Sequence, residues 1–460
     1  LKIVTAYKPF RRFCLAVSAA ALLSYPISGS WAMEGSGKSM TLREAVGTGV
    51  TTNPEYGIVA SSRRATDEEF NQAKGLYLPS IDFRGDTGYE YSDDASTRAR
   101  GALTGGDDTQ NLWRYEAGLT LTQMLFDGWK AKYENTRQKA RVLSSAHRVR
   151  EAAELVGLSI VEDYLEVLRQ RELLKISQQN VNDHLSILSQ IQDGVKAGRS
   201  TQADLEQARA RLASSRSQES SIRESLRAAE SAYLKDVGDP PADLQQPPAP
   251  QAALAQTLEE EVKAALTRSP TLDIYESDIK VAHAEFEGTQ STLYPQVDLQ
   301  LNARTGHDLG GVEGRDTSAS GLVVANWNLY RGGADVARAR EFIHREQQAK
   351  ENRDKAARAL EDDVRRTWAR MVSSSERAKE FASQATANTE VVKAYRDQFN
   401  LDRRTLLDVL DAQNELFVSR SNLVNSKYLE MLAAYRIVAL KGDLFPTLGI
   451  GYPRESDPRK

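Results

Sequence analysis

Chemistry-bearing side chains are scarce in this sequence. It holds one cysteine, Cys14, and five histidines among 460 residues. A lone cysteine excludes an internal disulfide and a cysteine-built metal site. The histidines (His147, His184, His283, His307 and His344) are scattered without ligand spacing, and there is no phosphate loop or nucleophile elbow. These absences argue against an enzyme and imply no cofactor and no metal. Mean hydropathy of −0.52 argues against a bundle of membrane helices. A net charge of −4 carries no sign of nucleic-acid binding. Proline is sparse, and two stretches of more than sixty residues lack it altogether.

The first residues read as an export signal. Lys8, Arg11 and Arg12 form a basic start, and Phe13 to Leu23 is an apolar run too short to span a bilayer. Ser30-Trp31-Ala32 supplies small residues for cleavage after Ala32, so 1–32 is expected to be a signal peptide. Cys14 falls inside it without a small-residue lipobox, so no lipid anchor is expected. An exported chain without disulfides fits a bacterial envelope better than an animal-style secreted domain.

What is present is a duplication. Thr41-Leu42 matches Thr257-Leu258, Pro54 matches Pro270, Glu69-Phe70 matches Glu285-Phe286, and Pro79 and Asp82 match Pro295 and Asp298. At a slightly shorter separation Gly128 pairs with Gly332, Tyr164 with Trp368, Thr201 with Thr405 and Asp204 with Asp408. Two repeats follow, 33–236 and 257–444, divided by a linker at 237–256 rich in proline and alanine and followed by a tail at 445–460. Each repeat begins with a helix interrupted before a proline, since proline forces its predecessor out of helical geometry.

Two strands come next in each copy. Ile81, Phe83, Tyr89 and Tyr91 alternate with Asp82, Arg84, Asp86 and Glu90, and Leu299 and Leu301 alternate with Gln300 and Asn302. Such alternation over about ten residues marks a transmembrane β-strand. The expected strands are 80–91, 113–126, 296–305 and 319–330, with Phe83, Leu121, Leu299 and Trp327 facing lipid and Asp82, Thr120 and Asn302 facing water. Loops at Ser92–Gln110 and Gly306–Ser318, rich in Gly, Asp, Ser and Thr, are expected to face outward. Four strands cannot close a barrel whose usual minimum is about eight, so the chain must oligomerise.

Long helices are expected at 128–195 and 332–399, each about 100 Å at ~1.5 Å per residue, followed by helices at 201–236 and 405–441. Heptad-like spacing, as in Val409, Leu416 and Leu423, suggests coiled-coil packing. The fold class is therefore α+β: four transmembrane strands joined to a helical conduit. At the tip of the second hairpin, Thr405 and Asp408 form a capping box, as do Thr201 and Asp204 in the first. Asp408 and Asp411 share one face of the new helix.

In this order the motifs resemble the TolC family of outer-membrane export channels. They are Asn53-Pro54, Y-L-P-S-I-D at 77–82, L-Y-P-Q-V-D at 293–298, L-F-D-G at 125–128, L-Y-R-G-G at 329–333 and R-T-L-L-D-V-L-D-A-Q at 404–413. The resemblance implies a homotrimer whose twelve strands form one barrel in the outer membrane of a Gram-negative cell. It implies a periplasmic tunnel tapering shut at the far end, with an equatorial belt built from the linker and tail. The implied partners are a periplasmic adaptor and an inner-membrane ABC, RND or MFS transporter, with outer-membrane lipid around the strands. The cargo would be secreted protein or small toxic molecules. By motif, Asp408 and Asp411 correspond to the entrance carboxylate ring, where like charges should raise each other's pKa and favour cations. Arg404 corresponds to the gate arginine and Asp204 to the acid it meets on a neighbouring coil. Phe399 replaces a tyrosine of the family's gate, and Asp402 stands where glycine is common in the turn. The competing readings are a periplasmic adaptor, which would carry one hairpin rather than two, and a diffusion porin, which would lack the rods.

Overall fold

The computed structural model describes residues 39–401 and 403–457. The expected signal peptide and the turn residue Asp402 lie outside them.

Ten α-helices and four strands are described: α1 (Leu42–Thr52), α2 (Pro54–Gly75), β1 (Ser80–Ser92), α3 (Ala95–Thr104), β2 (Gln110–Phe126), α4 (Lys130–Lys196), α5 (Gln202–Val237), α6 (Leu258–Arg268), α7 (Pro270–Thr289), β3 (Gln296–Leu309), β4 (Val312–Asn326), α8 (Ala334–Asn400), α9 (Leu406–Leu440) and α10 (Leu444–Thr447). The duplication appears in the local chemistry. Thr41, Thr201, Thr257 and Thr405 each open a helix through a complete capping box, with Glu44, Asp204, Glu260 and Asp408 as partners. Asn53 and Ser269 are extended ahead of Pro54 and Pro270, breaking each first helix in two.

The strands form one antiparallel sheet in the order β1-β2-β3-β4. Except past the irregularities at Phe126–Val297 and Leu309–Val312, register places odd residues opposite odd residues: Phe83 faces Leu119, Leu121 faces Leu301, and Leu299 faces Val323. One face is therefore apolar from edge to edge. Ten strand residues at ~3.3 Å each, tilted ~40°, rise about 25 Å, the height of an outer-membrane barrel's apolar band. Tyr89 and Trp113 meet edge-on at its upper rim. At the lower rim Trp129 packs edge-on against Phe126 and Tyr294, at 5.1 and 4.9 Å between ring centres.

Three expectations are corrected here. The loop expected over 306–318 does not exist. β3 and β4 continue into it and join through Gly310-Gly311, whose φ values of 58° and 71° make a two-residue hairpin turn that favours glycine. Polar residues at its borders find partners across the strands, as Thr305 and Thr317 do with hydroxyls 3.1 Å apart. At the other end β4 stops at Asn326, opposite Gln296 where β3 begins. Trp327 and Leu329 then have no partner strand, so Trp327 is an exposed residue of the connection rather than a strand position. The first connection, expected as an outward-facing loop over 92–110, carries α3, started by a capping box between Asp94 and Thr97.

The helices continue the sheet. α4 packs against α2 and α7, and α7 also packs against α8. The helix order α2-α4-α7-α8 thus prolongs the strand order, strand by strand. Farther down, α5 pairs with α4, α9 with both α4 and α8. Each long helix has 67 residues, about 100 Å. No helix among the described residues is long and apolar enough to cross a membrane.

The main core lies at mid-height, where α1, α4, α5, α9 and α10 meet. Tyrosine hydroxyls fasten the linker to it. Tyr164 lies 2.8 Å from the Met40 carbonyl and 2.6 Å from that of Gln245, while Tyr435 donates to the Pro248 carbonyl at 2.8 Å. The tail is fastened by Glu154, which is 2% exposed and accepts from the Leu444 and Phe445 amides and from the Tyr452 hydroxyl. Burial pushes this carboxyl up from 4.5 to about 7, against those hydrogen bonds. Between these pH values the folded chain holds a proton that the unfolded chain has released. Stability should therefore fall as pH rises from 4.5 to about 7 and level off above, by up to about 3 kcal/mol. Asp163, pushed up by burial and by Asp236, adds in the same direction. Thermal melts of purified protein across this range should show the decline, and Glu154→Gln should reduce it. A melting point that rises with pH would contradict it.

Candidate functional site

Two parts of the chain carry polar groups that packing alone does not require: the hairpin tips and one face of the sheet.

At the tips, the turn from α4 to α5 and the turn from α8 to α9 lie side by side. A small apolar cluster of Ile187, Ile191, Leu205, Leu406, Val409 and Leu410 joins the two hairpins, and Phe399 packs against it. Phe399 therefore contributes to the seam between hairpins, where a hydroxyl would gain nothing apolar. The Thr405 hydroxyl and amide donate to Asp408 at 2.7 and 3.2 Å. Those hydrogen bonds first, and then Arg404, hold the Asp408 carboxyl below its ordinary range. Repulsion from Asp411 is not among the causes of that shift within one chain; the upward shift expected of the ring belongs to the assembled copies.

Arg404 is engaged inside its own turn. Its Nε donates to Gln398 Oε1 at 3.0 Å, Asp408 is 3.8 Å away, and the guanidinium carbon stands 4.1 Å from the centre of the Tyr395 ring. The hydrogen bonds described for Asp204 are all to Thr201, at 2.9 Å from its amide and 2.7 Å from its hydroxyl. The structure does not bring Arg404 and Asp204 together within the chain.

Asp411 has a partner that the sequence did not indicate. Arg211 Nη2 on α5 donates to it at 2.8 Å, bridging the two hairpins. Farther from the tip, Asp183 on α4 accepts from Gln413 on α9 at 2.6 Å and lies 3.1 Å from Arg396 on α8. Two polar bridges therefore clasp hairpin to hairpin, around an apolar seam. Neither could be found from spacing, since the partners are some two hundred residues apart.

On the sheet, even-numbered residues share the face opposite the apolar one. Asp82, Thr120, Asn302 and Ser320 form one row, and Asp86, Glu116, Gly306 and Asp316 another. Arg114 reaches Asp86, Glu90 and Glu116 at 2.8, 3.1 and 2.6 Å, and Arg304 reaches Asp316 at 3.0 Å. This face is charged, hydrogen-bonded and suited to water. No cluster of three or more His, Cys, Asp or Glu positioned for a metal occurs among the described residues.

The sequence model described as outer membrane efflux protein matches residues 53–235 and 262–443. Among curated relatives, the outer membrane efflux protein BepC of Brucella suis is 24% identical over 445 residues, covering 95% of this chain and 92% of that one. The alkaline protease secretion protein AprF of Pseudomonas aeruginosa is 23% identical, covering 84% of this chain and 81% of its own. Among solved structures, the outer membrane protein VceC of Vibrio cholerae superposes with a TM-score of 0.70 at 15% identity, over 90% of this chain and 97% of that one.

Proposed function

This chain belongs to the outer membrane efflux protein family, and from that premise we propose that three copies close into one channel carrying cargo from the cell interior across the periplasm and outer membrane. The observation that carries the reading is the shared order of strands and helices. β1 and β4 are open edges, and exposed strand edges recruit partners. α2 and α8 stand below them at the same two borders, with Ile58 and Val336 exposed there. One copy is thus a curved strip with matching borders, and three copies give twelve strands, above the minimum of about eight. The polar face becomes a water-filled lumen and the apolar face meets lipid. The hairpin tips then surround the periplasmic entrance. There Arg404 would act as gate, with Asp204 of a neighbouring copy within reach, and Asp408 and Asp411 would line the passage.

The cargo follows the relatives' two activities, efflux and protease secretion: small toxic molecules, secreted proteins by a type I route, or both. A periplasmic adaptor and an inner-membrane ABC, RND or MFS transporter would complete the path. The test is paired. Crosslinked outer-membrane fractions should end at a trimer. Cysteines at successive positions of β3 should react alternately with a membrane-impermeant reagent, Asn302→Cys labelled and Leu301→Cys not. A soluble monomer, or uniform labelling, refutes the reading. A deletion strain assayed for both secreted proteins and bile-salt sensitivity assigns the cargo.

A further inference from the structure

The duplication breaks down at the outer ends of the strands. The second copy joins its strands by two glycines, whereas the first inserts α3. These two pieces touch each other. Arg100 of α3 donates to the Gly311 carbonyl at 3.1 Å. A Cβ placed on Gly311 would lie 2.7 Å from Thr97 Cγ2 and 2.8 Å from Ser92 Cβ, so the turn is pressed against both. Thr97 is 1% exposed. Gly101, on the same helix, has no room for a Cβ either, with the Asp107 carbonyl 2.9 Å away.

The side of the sheet on which this happens is fixed by register. Ser92 is an even residue, and its hydroxyl lies 3.2 Å from Glu90, one of the carboxylates of the polar face. The β3–β4 turn reaches it by crossing the end of β2, so it bends over the polar face. The bend begins at the irregularity between His307 and Leu309, where Asp308 has a φ of 58° and accepts from the Gly314 amide at 2.8 Å. Leu309 folds back over Gly306, an even position, leaving a Cβ there only 2.7 Å from Leu309 Cδ1.

We propose that α3 and the β3–β4 turn form a packed lid over the lumen at the outer mouth, and that this lid sets the largest solute able to enter the channel from outside. The proposal rests on the reading of the sheet as one third of a barrel. In such a barrel three lids converge on one axis, and an opening as wide as twelve strands is narrowed by side chains and backbone anchored on its wall. The outer end is then a size filter independent of the hairpin entrance.

The test uses whole cells carrying the full chain with Cys14→Ser and a single cysteine at Asn302, on the polar face below the lid. Two impermeant thiol reagents are compared, a small charged methanethiosulfonate and a polyethylene-glycol maleimide of several kilodaltons. The small reagent is expected to label, and the large one to be slower by at least an order of magnitude. Replacing residues 95–104 with a Gly-Ser linker, or Gly311→Val, should bring the large reagent close to the small one while leaving the small reagent's rate unchanged. That unchanged rate also certifies that each variant has assembled. Fast labelling by the large reagent in the intact chain, or an unchanged ratio in both lid variants, overturns the lid. Labelling of Leu301→Cys as fast as Asn302→Cys would instead overturn the barrel itself.

Discussion

Lys441→Ala is expected to destabilise the folded chain by about 3–5 kcal/mol, the range for removing one partner of a buried ion pair. Lys441 is 4% exposed and Glu261 is not exposed at all. The ammonium sits 2.8 Å from Glu261 Oε1 and also donates to the Ala253 carbonyl, while Glu261 Oε2 accepts from the Ala255 amide at 2.6 Å. The pair therefore ties the end of α9 to the linker and to α6, three segments distant in sequence. Alanine would leave a buried carboxylate without its counter-charge and the Ala253 carbonyl without its donor. Calorimetric melts of purified protein, together with its level in outer-membrane fractions, read the loss. Lys441→Met combined with Glu261→Gln should recover a good part of it, since an apolar replacement of a buried pair is often near neutral. If Lys441→Ala melts like the parent, the pair is not holding the belt.

The second large effect is expected at the entrance. Arg404→Ser removes an ion pair to Asp408, a hydrogen bond to Gln398 and a cation–π contact with Tyr395 in each copy. Exposed ion pairs contribute about 0–1 kcal/mol and exposed cation–π contacts about 0.5–1 kcal/mol. Those contacts lie within one turn and act on gating only by holding the guanidinium in place; pairing with Asp204 of a neighbouring copy, at up to about 1 kcal/mol in each of three copies, would bias the closed state by up to about 3 kcal/mol, roughly two orders of magnitude in the open-to-closed ratio. Single-channel conductance and antibiotic leakage should both rise. Asp411→Ala should do something different. It deletes one charge near the passage but also frees Arg211, so cation selectivity should drop by more than loss of a carboxylate alone would cause. Arg211→Ala, keeping Asp411, should raise it. If Arg404→Ser and Asp411→Ala both leave bilayer currents unchanged, the tip is a helix start and nothing more.

The features legible in the sequence were those encoded within a few residues. Thr405 with Asp408, and Asn53 before Pro54, declare helix ends by local hydrogen bonding and sterics, and the structure has them in place. Alternation from Ile81 to Tyr91 declares a two-faced strand. The extent of β3 and β4 was not legible, because Asp308, Asp316 and Thr317 read as loop residues until a partner strand accepts them. α3 did leave a trace, the Asp94–Thr97 box, hidden among residues typical of turns. The candidate site was legible in its residue types but less so in its pairings. Arg211 and Asp411, or Lys441 and Glu261, are brought together only by packing. Phe399 was readable as a departure from a tyrosine; that it packs at the seam between hairpins was not.

The shared order of strands and helices makes each copy a stave, cut to the same profile from rim to tip. A cask holds only if every stave meets both neighbours. A copy damaged along a single border, on β4 and α8 for example, still fits by its other border. It would be built into rings and leave an open seam in each. Genes carrying such lesions should act dominantly when expressed beside an intact gene, leaving only rings drawn wholly from sound staves watertight. Lesions that prevent the chain from folding at all should be recessive, because a missing stave spoils no cask.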